Sequence, residues 1–392
     1  MKITRRFFAF LLITCAPVVL FSFSHVPNKV AEKGQYVAYI GTYTSKTASK
    51  GIYAYRFDTT TGRLSAMGVT AESTDPSFLV TSSNGKYLYA VNETDNFQGE
   101  KSGAVSAYSM DRKSGKLTLL NQVASRGAGP CYISLDKTGK YVLIANYDGG
   151  SVASFSILED GRLGTASTLV KHSGQGPNKE RQDGPHAHWI ETSPDNRLAL
   201  AVDLGLDEVL VYRFAAASGA LTPNDPAFAK GDAGAGPRHL GFHPNGRFAY
   251  VLNEIQSTVT ALTFDPQTGA LSSFQTLSTL PKNFAGANDT AELAVHPSGK
   301  YLYASNRGHD SIALFAIDPT NGTLTPTGTF STRGKMPRHF AIDPTGNFLL
   351  AANQESNNIV VFRINRADGS LSAVGEPAEV PAPVCIVFAP AD

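Results

Sequence analysis

One turn pattern constrains this chain more than anything else in it. A polar or acidic residue is followed about three residues later by Gly-x-Leu, and the pattern recurs seven times along 392 residues. It falls at Gly62-Arg63-Leu64, Gly115-Lys116-Leu117, Gly161-Arg162-Leu163, Gly219-Ala220-Leu221, Gly269-Ala270-Leu271, Gly322-Thr323-Leu324 and Gly369-Ser370-Leu371. The six intervals span 307 residues, about 51 each. Between the turns, segments rich in Val, Ile, Tyr, Phe and Thr alternate with period two, which points to strands. A repeat near 50 residues holding four short strands is a β-propeller blade.

Each unit divides into four strands. In the second, strand A opens at Pro76 (Pro76-Ser77-Phe78-Leu79-Val80) and strand B runs from Tyr87 to Asn92. Strand C follows from Ala104 to Tyr108, and strand D runs from Leu117 to Val123. The A strands open at Pro76, Pro130, Pro185, Pro237, Thr290, Pro337 and Pro383. The last A strand has no B strand after it, and the segment from Tyr36 to Thr42 is a B strand with no A strand before it. The expected fold is therefore an all-β, seven-bladed propeller of four antiparallel strands per blade. The C-terminal strand closes the ring by pairing into the N-terminal blade, which leaves no free edge at the junction.

The N-terminus reads as an export signal. Lys2, Arg5 and Arg6 precede an apolar run from Phe7 to Phe23, short for a membrane span, with small residues at Ser22 and Ser24. Thr4-Arg5-Arg6-Phe7-Phe8 also resembles a twin-arginine signal, so twin-arginine and general secretion both stand as routes. Cys15 invites lipid attachment, but Thr14 before it is atypical and cleavage there would leave an apolar stretch on the mature chain. The expected organisation is a signal peptide at 1–24, a linker at 25–35 and the propeller at 36–392, in a periplasmic or secreted protein.

The whole chain has a formal charge of +1, and removing three cationic residues with the signal leaves −2. Neither value argues for nucleic acid, or for a membrane partner once the signal is cleaved. Cys131 and Cys385, the two cysteines outside the signal, make no disulfide framework and read as small buried residues. Oligomeric state is not readable.

In a propeller, every A strand starts and every B strand ends at the same mouth of the central channel, so the blades act as one another's controls. The B strands end in Gly41, Asn92, Asn146, Asp203, Asn253, Asn306 and Asn353, a near-constant amide or acid that reads as a turn cap. The next position varies: Thr42, Glu93, Tyr147, Leu204, Glu254, Arg307 and Gln354. Variation on a fixed scaffold is expected where a pocket decides the residue. One residue past the A-strand opening stand Ser77, Cys131, His186, Arg238, Ala291, Arg338 and Val384. Three past it stand Leu79, Ile133, His188, Leu240, Leu293, Phe340 and Ile386, so His188 interrupts an apolar set and should share a strand face with His186. Arg238-His239 and Arg338-His339 each follow a proline. A metal held by His186 and His188 would lack a third ligand at suitable spacing. No phosphate-binding glycine loop, serine nucleophile elbow or Cys/His metal pattern occurs, and no cofactor is expected.

At these residues the sequence resembles the propeller lactonases, a family that includes bacterial 6-phosphogluconolactonase and fungal carboxy-muconate cycloisomerase. The matching stretches are Tyr39-Ile40-Gly41-Thr42-Tyr43-Thr44, Gly184-Pro185-His186-Ala187-His188 and Gly236-Pro237-Arg238-His239. Val251-Leu252-Asn253-Glu254 and Ser305-Asn306-Arg307-Gly308-His309 complete the set. The resemblance implies a site that opens or forms a lactone with a histidine (His186 or His188), Arg238, Glu254 and Arg307. Glu93, Tyr147, His239, Arg338 and His309 are expected to contact the substrate. Glu254 or His188 would be the general base, one arginine would face the oxyanion, and another would hold a carboxylate or phosphate. The expected substrate is a small sugar lactone, 6-phosphogluconolactone or an unphosphorylated aldonolactone, opened without a metal. An export signal sits poorly with a phosphorylated metabolite. Muconate-type cycloisomerisation and a non-catalytic binding propeller are the alternatives.

Overall fold

The computed structural model describes Met1 and residues 34–391. Apart from Met1, the signal at 1–24 and nearly all of the linker at 25–35 lie outside the described residues. Residues 35–390 form seven four-stranded antiparallel sheets, and in each the strands lie in the order A-B-C-D. Among the described residues no helix is long and apolar enough to cross a membrane.

Ring closure is as expected. The last strand, Pro383–Pro390, pairs antiparallel with the first, Gln35–Thr42, with Ile386 opposite Ile40 and Ala389 opposite Val37. The B strands read as continuous apolar runs because both of their faces pack against neighbouring blades. In blade 3, Tyr141–Asn146 is buried at all six residues. The D strands instead face water on one side: in blade 6, Leu324–Ser331 keeps only its first residue fully buried.

The turn glycine is a backbone requirement. All seven take φ between 71° and 85°, a region that costs a side chain about 1–2 kcal/mol. Several also press on the aromatic that starts strand B of the preceding blade. A Cβ on Gly322 would meet the Phe248 ring at 2.6 Å, and one on Gly219 would meet Tyr141 at 2.4 Å. The turn of one blade is thus packed into the core of the next, which is why the repeat is visible as a fixed motif.

The strand register changes two of the blade comparisons. Pro130, Pro237, Thr290 and Pro337 lie opposite Asn146, Asn253, Asn306 and Asn353, but in blade 4 Ala187 lies opposite Asp203. Strand A of blade 4 (Ala187–Thr192) therefore begins two residues after Pro185, and His186 belongs to the loop before it. The residue three past the true opening is Ile190, and the apolar set of Leu79, Ile133, Ile190, Leu240, Leu293, Phe340 and Ile386 is unbroken. His188 does not interrupt a packing rule, and it does not share a strand face with His186. It takes the place held by Cys131, Arg238 and Arg338 in other blades. In blade 1, Thr42 lies opposite Pro383, so Thr42 ends strand B and Tyr43 is the residue beyond it.

Six A strands also carry a β-bulge within their first few residues. A bulge re-aims side chains. It lets two successive residues, such as Arg238 and His239, both reach across to neighbouring blades at the channel mouth.

Candidate active site

Four residues from four different segments meet at the mouth over blades 4 to 6. Glu254 follows strand B of blade 5, where its N–H donates to Gly236 O at 2.7 Å. Its side chain is 6% exposed. Arg238 Nε lies 2.8 Å from Glu254 Oε2, Arg307 NH2 lies 2.9 Å from the same oxygen, and Arg181 NH2 donates to Oε1. Burial alone would raise the Glu254 carboxyl, but Arg307, Arg238 and Arg181 together hold it down at about 2. Arg238 and Arg307 are depressed, chiefly by burial, Arg238 to about 10, so both stay charged at neutral pH.

The arginines are held from behind. Arg238 NH1 donates to Ala291 O and lies 3.1 Å from His239 Nε2, and Arg307 NH2 donates to Thr290 O at 2.9 Å. Arg238 Nε and Arg307 Nε are buried without an aligned hydrogen-bond acceptor, although both guanidiniums are at ion-pair distance from Glu254. Three guanidiniums around a single carboxylate leave a surplus of positive charge at the mouth, which favours an anion.

Arg181 is a residue that blade-to-blade comparison could not find, because it sits on the long loop between strand D of blade 3 and strand A of blade 4. That loop is tied down by Gln182, which is fully buried and donates to Leu204 O at 2.8 Å and Asp207 Oδ1 at 2.7 Å. The signal was a long interval: Gly161 and Gly219 are 58 residues apart, more than any other successive pair of turn glycines.

His188 is 4% exposed. Its Nδ1 is 3.7 Å from Cys131 Sγ, and its ring meets those of Tyr147 at 5.5 Å and His239 at 5.2 Å. Burial, then the charges of Arg238 and its neighbours, push its pKa well below the ordinary histidine value, so it is a neutral imidazole. His186 stacks on Tyr147 at 4.5 Å, with Nδ1 3.2 Å from Tyr147 O and Nε2 3.2 Å from Asp183 Oδ1. Both His186 nitrogens face acceptors, and neither is left free. Cys131 is no thiolate, since burial pushes its thiol well up.

Across the mouth, over blades 7, 1 and 2, Arg338 sits 5.3 Å above the Tyr43 ring. Among the described residues it has no carboxylate at ion-pair distance. Tyr43 OH lies 3.0 Å from both oxygens of Glu93, whose carboxyl is raised by burial with Arg338 opposing.

A second layer lies just inside. His239 Nδ1 is 3.2 Å from Glu292 Oε1, and His339 Nε2 is 3.3 Å from Glu292 Oε2. Phe78 stands edge-on to both imidazoles. Burial drives His239 well down and His339 to about 4, and it pushes Glu292 up. His309 is not brought to this cluster. It lies at the blade 6 B–C turn, bonded through Nδ1 to Ser311 Oγ at 2.7 Å and set against Phe284. Among the described residues no three His, Cys, Asp or Glu side chains are placed to hold a metal ion.

Comparison with known proteins agrees with the fold and shows a lactonase family. A family model described as "Lactonase, 7-bladed beta-propeller" matches residues 37–388. The 6-phosphogluconolactonase of Bacillus subtilis is 38% identical over 307 residues, covering 78% of this chain and 84% of its own. The solved structure of a periplasmic gluconolactonase from Pseudomonas aeruginosa superposes with a TM-score of 0.85 at 34% identity, covering 92% of this chain and 100% of that one. A Bacteroides fragilis structure, provisionally assigned as a 6-phosphogluconolactonase, is 40% identical with a TM-score of 0.84, covering 91% and 98%.

Proposed function

The chain belongs to the lactonase family of seven-bladed propellers, and from that premise we propose that it opens a sugar lactone to the acid, using the arginine cluster over blades 4 to 6. One observation carries the reading. Three guanidiniums surround one buried carboxylate, so the cluster carries a surplus of positive charge. That surplus suits negative charge that develops during reaction, on the carbonyl oxygen first and on the product carboxylate afterwards. A positioned donor of this kind is worth roughly 10²–10³-fold in rate.

The base in this mechanism is His188. Both Glu254 oxygens are engaged by guanidiniums, so neither is free to take a proton from water. His188 is neutral and sits beside Arg238 and Arg338. It takes a proton from water as the oxygen attacks the lactone carbonyl. Arg238 and Arg307 face the resulting oxyanion. When the ring C–O bond breaks, the imidazolium returns its proton to the leaving alkoxide, an outcome its cationic surroundings favour. Glu254 serves by holding the arginines in place without neutralising all of them. Arg338, which has no carboxylate partner at ion-pair distance, anchors an anionic or hydroxyl-bearing tail together with Tyr43 and Glu93. No covalent nucleophile or metal takes part in these steps.

The chain is further proposed to work in the periplasm or outside the cell, on the strength of its N-terminal 24 residues. An unphosphorylated aldonolactone is the substrate that fits such a location. The test is acid release by the purified chain from an aldonolactone and from its 6-phosphate, followed at constant pH. Hydrolysis of either well above the buffer rate is expected, and a folded protein that accelerates neither would end the proposal.

A further inference from the structure

We infer that Glu292 is a positioning residue of this site, which holds Arg238 in its reactive pose by fixing the tautomer of His239. The inference rests on the lactonase reading for its kinetic consequence and on hydrogen-bond logic for its geometry.

The logic starts from two donors that have no alternative. A guanidinium can only donate, so in the 3.1 Å contact between Arg238 NH1 and His239 the Nε2 atom is the acceptor. A backbone N–H can only donate, so in the 3.3 Å contact from Ile386 N to His339 the Nδ1 atom is the acceptor. Both imidazoles are neutral. Each therefore carries its single proton on the other nitrogen: Nδ1 in His239 and Nε2 in His339. Those are the two nitrogens nearest Glu292: His239 Nδ1 is hydrogen-bonded to Oε1 at 3.2 Å, while His339 Nε2 lies 3.3 Å from Oε2 without hydrogen-bond alignment. The carboxylate is also the right shape for the task. Its Oε1 accepts from Leu293 N at 3.0 Å, while Glu292 N donates to Ser305 Oγ at 2.9 Å, so its own strand holds it still.

Consequences run outward from there. With Nδ1 protonated, His239 presents a lone pair at Nε2, and Arg238 NH1 rests between that lone pair and Ala291 O. This anchors one end of the guanidinium and leaves Nε toward Glu254. Remove the acceptor at Glu292 and His239 has a buried Nδ1–H with nothing to bond. The ring escapes by moving its proton to Nε2, where it meets the Arg238 N–H head on. Arg238 then loses its rear support. Displacements on the order of 1 Å at such a group cost about 10²-fold in rate.

Two measurements on the full protein decide the matter. Nitrogen-15 NMR of the histidine side chains in the wild type at pH 7.5 should show His239 neutral with its proton on Nδ1. A proton on Nε2, or on both nitrogens, overturns the inference without any variant being made. Glu292→Leu, of similar size but with no acceptor, should shift His239 to the Nε2–H form and lower kcat about 10- to 100-fold. KM should stay within about threefold, because the groups proposed to hold the substrate are untouched. Glu292→Gln keeps one acceptor oxygen for His239 and should recover most of that loss, and it serves if the Leu variant does not fold. Wild-type kcat in Glu292→Leu, or a fall in kcat with the His239 tautomer unchanged, overturns the inference. If the wild-type protein opens no lactone, the functional reading fails and the NMR result still stands or falls alone.

Discussion

The two sides of the channel mouth use the same strand positions and treat their arginines differently. Over blades 4 to 6, Arg238 takes the place after the A-strand opening and Arg307 the last place of strand B, and both close on Glu254 together with Arg181 from the loop. Over blades 7, 1 and 2, Arg338 takes the same A-strand place as Arg238 and lies over an aromatic ring instead. The nearby acid, Glu93, is bonded to the Tyr43 hydroxyl and raised by burial, so it offers Arg338 less than a full counter-charge. The scaffold supplies equivalent slots, and local neutralisation decides what an arginine in a slot can do. A guanidinium fixed by a buried carboxylate has a defined direction, which suits a developing oxyanion. One without such a partner has its charge available to a ligand, which suits an anchor.

The comparison is broken most severely by removing the carboxylate. Glu254→Gln leaves Arg238 and Arg307 buried without a counter-ion, a change that typically costs about 3–5 kcal/mol. Arg181 is more exposed and can turn to solvent. Turnover should fall at least 10³-fold, and thermal unfolding should shift down by several degrees. A variant with unchanged melting and near-normal turnover would mean that the clamp is ornamental. Arg307→Ala acts on the same side with a smaller effect. Stability should be nearly retained, since a buried repulsion with Arg338 is relieved along with the Glu254 contact. Activity should fall about 10²-fold, equal to about 2.7 kcal/mol of transition-state stabilisation, with the loss in kcat. Arg338→Ala sharpens the contrast. Its loss should appear in KM, about tenfold for a lactone carrying an anionic tail and little for a neutral one. A loss in kcat for both substrates would place Arg338 with the reacting atoms and erase the distinction between the sides.

How much of this was legible follows from what each feature demands of the chain. The seven blades were plain because a turn at positive φ admits little but glycine, and the Leu after it must enter the blade core. Glu254, Arg238 and Arg307 were plain because they stand at fixed offsets from the strand ends. His188 was reached by a wrong argument: Pro185 imitates an A-strand opening, but the longer loop delays the strand by two residues. Tyr43 was missed through a one-residue slip, since Gly41 looks like the end of a strand that continues to Thr42. Glu292 was missed because the residue two past the opening was never compared between blades. That set is Phe78, Tyr132, Trp189, His239, Glu292, His339 and Cys385, in which one carboxylate stands among aromatic and imidazole rings and a thiol. The hydrogen bonds that give Glu292 its role depend on the bulges, and a bulge leaves no mark in composition.

The smallest expected effect concerns pH, and it separates a buried base from an exposed one. The His188 pKa is driven down by burial and by the facing charges of Arg238 and Arg338. The Glu254 carboxyl is held at about 2 by its three arginines. Neither group changes protonation between pH 6.5 and 8. After subtraction of the hydroxide reaction, kcat/KM should therefore vary less than about twofold across that window, with its acid limb below the ordinary histidine range near 6.5. Stability should move over a neighbouring range for a related reason. An unfolded chain protonates its histidines below about pH 6.5, while native His188, His239 and His339 stay neutral. More protons on the unfolded state means stability is lost as pH falls from 6.5 toward the native value of about 4 for His339. The contribution of Glu254 has the depressed-carboxylate sign: it is complete above about pH 4.5 and fades as pH falls toward 2. Kinetics and thermal melting at the same pH values separate loss of a base from loss of the fold. An acid limb centred at 6.5 in a protein that remains folded would show that the working base titrates as an ordinary solvated histidine, and His188 would then be ruled out.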